Sequence, residues 1–135
     1  MLLIDTGIFV SAGDRSEPRH VECAALLRAR TDLAVTPPVI AEASWLIEDR
    51  LGAAAEARFL RSVTSARFTI EDLTPVDYQR AIELIESYSD LGLGFVDASI
   101  VAIAERLNLD SIATLNRRDF AVVRPAHRNA FVLVP

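Results

Sequence analysis

The chain contains no lysine; all 14 of its basic residues are arginine. That absence excludes a Walker-type phosphate loop, which needs a lysine at the phosphates, and Schiff-base chemistry, which needs a lysine amine. Arginine still offers a bidentate fork for phosphates. Cysteine is nearly absent too. Cys23 stands alone, so no internal disulfide can form, and a reducing cytosol is the expected setting. No apolar run approaches the ~18 residues of a membrane span. The N-terminus reaches Asp5 after four apolar residues and has no basic stretch, unlike a signal peptide. Positive charge is in deficit, with a net charge of −5. That argues against broad non-specific nucleic-acid binding, but not against a nucleic-acid enzyme with arginines gathered on one rim.

Apolar residues are in excess, at 51% of 135. This is above the usual globular share and permits a sizeable core in one domain. The chain alternates short apolar runs with helical spacings. Strands are expected at 1–5, 33–35, 68–70, 111–115 and 131–134. Helices are expected at 6–12, 18–30, 37–50, 53–65, 76–88 and 95–107. Pro18 reads as the first residue of its helix, with Val21, Ala24, Ala25 and Leu27 as the apolar face. Tyr78, Ile82 and Ile85 share a face of a later helix, and 95–107 is apolar nearly all round, as in a buried helix. Strands separated by helices imply an α/β fold, its mostly parallel sheet covered on both faces and its function at the carboxyl ends of the strands.

Four polar residues stand where packing alone would prefer apolar ones. Asp5 follows Met1-Leu2-Leu3-Ile4, Glu42 lies inside VIAEASWLI, Asp97 inside GFVDASIVAIA, and Asn116 after SIATL. Burying a carboxylate is costly without a partner. Three carboxylates brought together by folding need a cation, and Mg²⁺ or Mn²⁺ favours oxygen ligands. Each residue also has a plainer reading. Asp5 and Thr6 are good helix caps. Asp97 could cap the buried helix, although Ile100 occupies the position of a capping-box partner. Asn116 and Asp119 belong to a polar turn, where such residues are common. Glu42 resists a plain reading, because its helical neighbours Pro38, Val39, Trp45 and Leu46 are all apolar.

Other motifs carry less. His20 and Cys23 have ligand spacing but no second pair, and His127 with Arg124 and Arg128 reads as a solvated turn. Gly92 and Gly94 begin a GxG, but Asp97 stands where the third glycine belongs, which rules out dinucleotide binding. Arg117 and Arg118 directly follow Asn116, where a phosphate backbone could pass.

The order DTG, an internal AE, FVDA opening an apolar helix and TLNRRDF after a strand resembles the PIN-domain ribonucleases, more narrowly the VapC toxins of bacterial toxin–antitoxin pairs. The resemblance covers nearly the whole chain. It implies one PIN domain over 1–135, built as a three-layer α/β/α sandwich. It implies a metal-dependent endoribonuclease using Mg²⁺ or Mn²⁺, with RNA as substrate, a VapB-type antitoxin that blocks the site, and a cytoplasmic homodimer. Asp5, Glu42, Asp97 and Asn116 match the catalytic positions. Asp5 and Asp97 would be direct ligands, and Glu42 a ligand or the residue that orients water. Thr6, Asp119, Arg117 and Arg118 are candidates for the fourth ligand or for substrate contacts. The family's fourth acid is Asn116 here, which brings no charge; either it or Asp119 would complete the shell.

Two other classes compete. A PIN-like binding or regulatory module that has lost catalysis is favoured by Asn116. An α/β phosphohydrolase would want a second aspartate two residues after the first and a lysine, yet Gly7 holds that position and lysine is missing.

Overall fold

In the computed structural model, which describes residues 1–135, β1 (Leu2–Ile4) is followed by α1 (Thr6–Gly13), α2 (His20–Ala29), β2 (Leu33–Val35), α3 (Pro37–Leu51) and α4 (Ala53–Val63). Then come β3 (Phe68–Ile70), α5 (Pro75–Ser87), α6 (Phe95–Arg106), β4 (Ser111–Ala113), α7 (Arg117–Val122) and β5 (Val132–Val134). The five strands form one sheet in the order β3-β2-β1-β4-β5, and every pairing is parallel. Parallel strands covered on both faces read as unbroken apolar runs. Leu2, Leu3 and Ile4 are accordingly all buried, and Leu3 pairs with Ala34 on one side and Ile112 on the other.

From β1 the chain advances to β2 and β3, then crosses back past β1 to β4 and β5. Right-handed crossovers place α1–α4 on one face and α5–α7 on the other, giving three layers. Helix packing agrees: α1 lies against α2 and α3, and α5 lies against α6. The strand order reverses between β1 and β4, and a crevice opens there at the carboxyl ends. The residues that follow these two strands flank it: Asp5 after β1, and Thr114 to Asn116 after β4.

Local chemistry sets the helix ends that matter for this crevice. Thr36 caps α3 by accepting the Val39 N–H at 3.4 Å, with proline in the first turn. Gly52 ends α3 at φ +87°, a conformation that only glycine adopts cheaply, and so splits α3 from α4. Gly94, not Asp97, occupies the N-cap of α6.

Two expected faces are corrected. Pro18 lies in a turn, and α2 starts at His20. Asp14 accepts both the backbone N–H and the hydroxyl of Ser16, holding this segment in a local turn that competes with helix. His20 Nδ1 meets the Ser11 carbonyl oxygen at 2.9 Å, which turns Cys23 and Ala24 inward and leaves Val21 76% exposed. In α5 the inward residues are Asp77, Ala81 and Leu84, whereas Tyr78 and Ile82 are exposed. Asp77 is tolerated inside because it closes a capping box with Thr74 and pairs with Arg106. Tyr78 stacks on Phe95 at the surface, ring centroids 5.8 Å apart.

Candidate metal and catalytic pocket

Asp5 directly follows β1, the fully buried central strand. Its N–H extends the β1–β4 ladder by donating to the Ala113 carbonyl at 2.9 Å. One carboxylate oxygen accepts the Thr6 N–H at 2.7 Å, and so caps α1. The other accepts the Thr114 hydroxyl at 2.6 Å. Asp5 therefore both caps a helix and faces the pocket. Burial raises its pKa above the ordinary carboxylate value, the bonds from Thr114 and Thr6 oppose that rise, and the charge of Glu42 adds to it.

Asp97 sits in the first turn of α6, where the helix dipole favours negative charge. Its carboxyl is nonetheless pushed up to about 7. Burial is the main cause, followed by the charges of Asp5, Asp119 and Glu42, while a hydrogen bond from Asn116 opposes them.

Glu42 departs from expectation. It was expected within an apolar surround, yet it is exposed. The helix turns Val39, Ala43 and Ile47 to the core and sends Glu42, Leu46 and Arg50 along a neighbouring stripe that lines the pocket. Trp45, an apolar neighbour of Glu42 in sequence, is itself 64% exposed. The signal that marked Glu42 thus came from an apolar face that is partly solvent-facing.

Asn116 stands at the N-cap position of α7 without making a side-chain cap bond. Its side-chain amide donates to Asp97 at 3.3 Å and to Asp119 at 3.0 Å, bridging two carboxylates. Those contacts, Asn116 first, hold the Asp119 carboxyl below its usual range. Arg118 also pairs with Asp119 at 3.1 Å. Arg117 turns away to the carbonyls of Leu133 and Pro135. None of Asp119, Arg117 and Arg118 lines the pocket. His20 and Cys23 form no ligand pair: the histidine is bonded to Ser11 and the thiol is buried.

Asp5, Thr6, Glu42, Asp97 and Asn116 together line a pocket of about 660 Å³. Three contributors escaped the sequence reading. Thr114, wholly buried, accepts the Asn116 N–H at 2.9 Å and donates to Asp5, so it links both strand ends. Its signal was a hydroxyl ending an apolar strand, at the place Asp5 occupies after β1. Thr114 lies behind the pocket wall, whereas Arg50 and Glu17 line the pocket itself, and neither carried a motif.

The donors are all oxygens, a set suited to a hard cation. Two carboxyls held above their usual range by burial and by neighbouring carboxylate charge, and a buried Thr6 hydroxyl with no hydrogen-bond partner, suit a bound cation here. No three His, Cys, Asp or Glu side chains draw close enough to enclose an ion directly. The oxygen donors suit a hard divalent cation that keeps part of its water shell, not a closed structural site.

Known proteins resemble this chain in sequence and fold. The PIN domain family profile matches residues 2–124. Ribonuclease VapC26 of Mycobacterium tuberculosis is 30% identical over 135 residues, spanning 99% of this chain and 100% of that one. The crystal structure of VapC20 from the same organism, a Sarcin-Ricin loop cleaving toxin, superposes with a TM-score of 0.77 at 19% identity, covering 83% of this chain and 87% of the other. A toxin–antitoxin complex from Klebsiella pneumoniae gives 0.70 at 22% identity, over 98% and 100%. A parallel sheet whose order reverses beside Asp5, the matching profile and the full-length relative lead to one family: the chain belongs to the PIN domains and, within them, to the VapC group.

Proposed function

We propose that residues 1–135 form one PIN domain acting as a Mg²⁺- or Mn²⁺-dependent endoribonuclease, a cytoplasmic toxin held in check by a VapB-type antitoxin. The observation that carries this reading is the gathering of Asp5, Glu42, Asp97 and Asn116 around one pocket in which two carboxyls resist ionisation. The names of its relatives, a ribonuclease and a toxin–antitoxin complex, support RNA and an antitoxin as partners.

A divalent cation, when bound, would activate water and polarise the scissile phosphate. Asp5, Asp97 and Glu42 would hold it, with Asn116 supplying a neutral oxygen. Thr114 and the Thr6 N–H keep Asp5 fixed in one orientation. Glu42, the exposed carboxylate at the mouth, would serve either as that third ligand or by orienting the attacking water.

An apolar groove of about 310 Å³, lined by Phe9, Leu27 and Leu51 and edged by Arg28, Arg58 and Arg67, offers the antitoxin a seat. Three guanidiniums beside apolar residues suit an acidic amphipathic segment. A homodimer is part of the same proposal. Val76, Tyr78, Ile82 and Phe95 supply exposed apolar surface that a second copy would cover.

The alternative is a module without catalysis, favoured by Asn116 donating to two carboxylates where a charged ligand would serve. Incubating the purified protein with RNA, with and without EDTA, decides between them. Cleavage that EDTA stops and Asp5→Asn removes is the expected result. RNA left intact at every divalent-ion concentration would establish the binding module instead.

A further inference from the structure

We propose that Arg50 is a phosphate-binding residue that seats RNA beside the acidic centre, and that Glu17 competes with the RNA for it. The proposal rests on the ribonuclease reading above and concerns a residue outside the metal-binding set.

Arg50 is the only cationic side chain lining the pocket, against the carboxylates of Asp5, Glu17, Glu42 and Asp97. A polyanion entering this pocket meets mostly negative charge. A bound cation answers that charge at the scissile phosphate but not at the phosphates on either side. Arg117 and Arg118, the arginines nearest the site in sequence, do not line the pocket. Arg50 does, and its position is suited to the task. It lies on the same stripe of α3 as Glu42 and Leu46, eight residues beyond Glu42. At 1.5 Å per residue that is about 12 Å along the helix, out of reach of the phosphate at the acidic centre but along the path of a neighbouring one.

In the free protein Arg50 donates to Glu17 at 2.7 Å. Glu17 comes from the turn before α2, so the contact joins two sides of the pocket rim. One bond occupies one of five guanidinium donors. The Arg50 side chain is 43% exposed and that of Glu17 29%, and ion pairs with such exposure are weak. A phosphate, with a full charge and geometry matched to the guanidinium fork, displaces a carboxylate held this loosely. Glu17 then acts as an internal competitor that lowers RNA affinity.

The test compares wild type with Arg50→Ala, Arg50→Lys and Glu17→Gln. Binding of a labelled single-stranded RNA is measured by anisotropy in EDTA across a salt series. KM and kcat for cleavage are measured in Mg²⁺. Arg50→Ala is expected to raise Kd and KM on the order of tenfold and leave kcat within about twofold. It should also flatten the slope of log K against log salt by about 0.7, the loss of one phosphate contact on a single strand. Arg50→Lys should restore much of the affinity, and Glu17→Gln should tighten binding several-fold. A purely structural tie between the two rim segments makes the opposite forecast, because removing either partner then weakens binding alike. Weaker or unchanged binding by Glu17→Gln overturns the proposal, even if Arg50→Ala fails to fold. So does an Arg50→Ala protein with wild-type Kd, KM and salt slope. If wild type itself neither binds nor cuts RNA, the ribonuclease reading fails, and this inference falls with it.

Discussion

The hydroxyl of Thr114 donates to the carboxylate of Asp5 at 2.6 Å, joining two buried residues 109 positions apart in the chain. The same oxygen accepts the Asn116 N–H at 2.9 Å. One threonine thus fixes the acid that follows β1 and the start of the turn that follows β4. It is the hinge-pin of the crevice.

Replacing Thr114 by valine keeps the shape and removes the donor. Asp5 then has one donor where it had two, and its carboxyl rises further. The cost in folding stability should be about 1–3 kcal/mol, read from urea unfolding at pH 7 in EDTA. Thr114→Ser should recover most of it. Equal midpoints for Thr114→Val and wild type would show that the bond carries no net stability.

The metal-free protein should lose stability as pH rises from about 4 to about 7. Burial and the neighbouring carboxylates raise the folded Asp97 pKa from its ordinary 3.8 to about 7. Between those values the folded state binds more protons than the unfolded state, so the slope of stability against pH is negative. Asp5 is raised too and adds in the same sense. On the proposed function Mg²⁺ would bind the deprotonated carboxylates, so its stabilising effect should grow across the same range. Thermal unfolding at pH 5, 6, 7 and 8, with and without Mg²⁺, checks both trends. A melting temperature in EDTA that climbs steadily over this range would contradict them.

Asp97→Asn should abolish cleavage and leave metal-free stability at pH 7 unchanged or higher. Removing one of several crowded charges relieves repulsion and the cost of burying the ionised form. Helix capping is not at issue, because Gly94 holds the cap. The substitution should also remove most of the negative pH slope. Full ribonuclease activity in this variant would take Asp97 out of the metal-binding set.

Asn116→Asp should shift activity to lower Mn²⁺, since an added carboxylate raises affinity for hard cations. Without metal it should lower the melting temperature, because a charge replaces an amide that bridges Asp97 and Asp119. Asp119 lies outside the pocket lining, so Asp119→Ala should be milder than Asn116→Ala. Mn²⁺ titrations of activity rank the three variants. A severe Asp119→Ala with a silent Asn116→Ala would make Asp119 the fourth ligand.

Charge reversal of Arg28 and Arg58 should slow antitoxin association and reduce its dependence on salt, while RNA cleavage by the free protein stays at wild-type rate. Both residues edge the apolar groove and neither lines the acidic pocket. Surface-binding kinetics at several ionic strengths make the measurement. Wild-type association rates at low salt would move the antitoxin off this groove.

Asp5 was legible because it ends a run that must be buried, and Asp97 because its helix is apolar nearly all round. The alternation of strands and helices likewise announced a parallel α/β sheet. Glu42 was chosen on a weaker basis. Its apolar neighbours implied burial, but Trp45 faces solvent and the glutamate is exposed. Pro18 looked like a helix start until Asp14 and Ser16 closed their own turn. Thr114 and Arg50 left no mark because their roles depend on partners distant in sequence. A threonine after a strand and an arginine near a helix end are ordinary until the sheet order puts one beside Asp5 and the pocket wall puts the other beside Glu17. Strand order is set by tertiary packing, and no local pattern encodes it.

The central strand of the sheet is made first and completed late. Leu3 has one partner, Ala34, in the first part of the chain and the other, Ile112, near its end. A chain emerging from the ribosome therefore carries Asp5 and Glu42 long before Thr114 can lock the first of them. During translation the acidic residues belong to an open half-sheet with nothing to hold Asp5 in place. The tie between the two strand ends is therefore completed only with the last fifth or so of the chain.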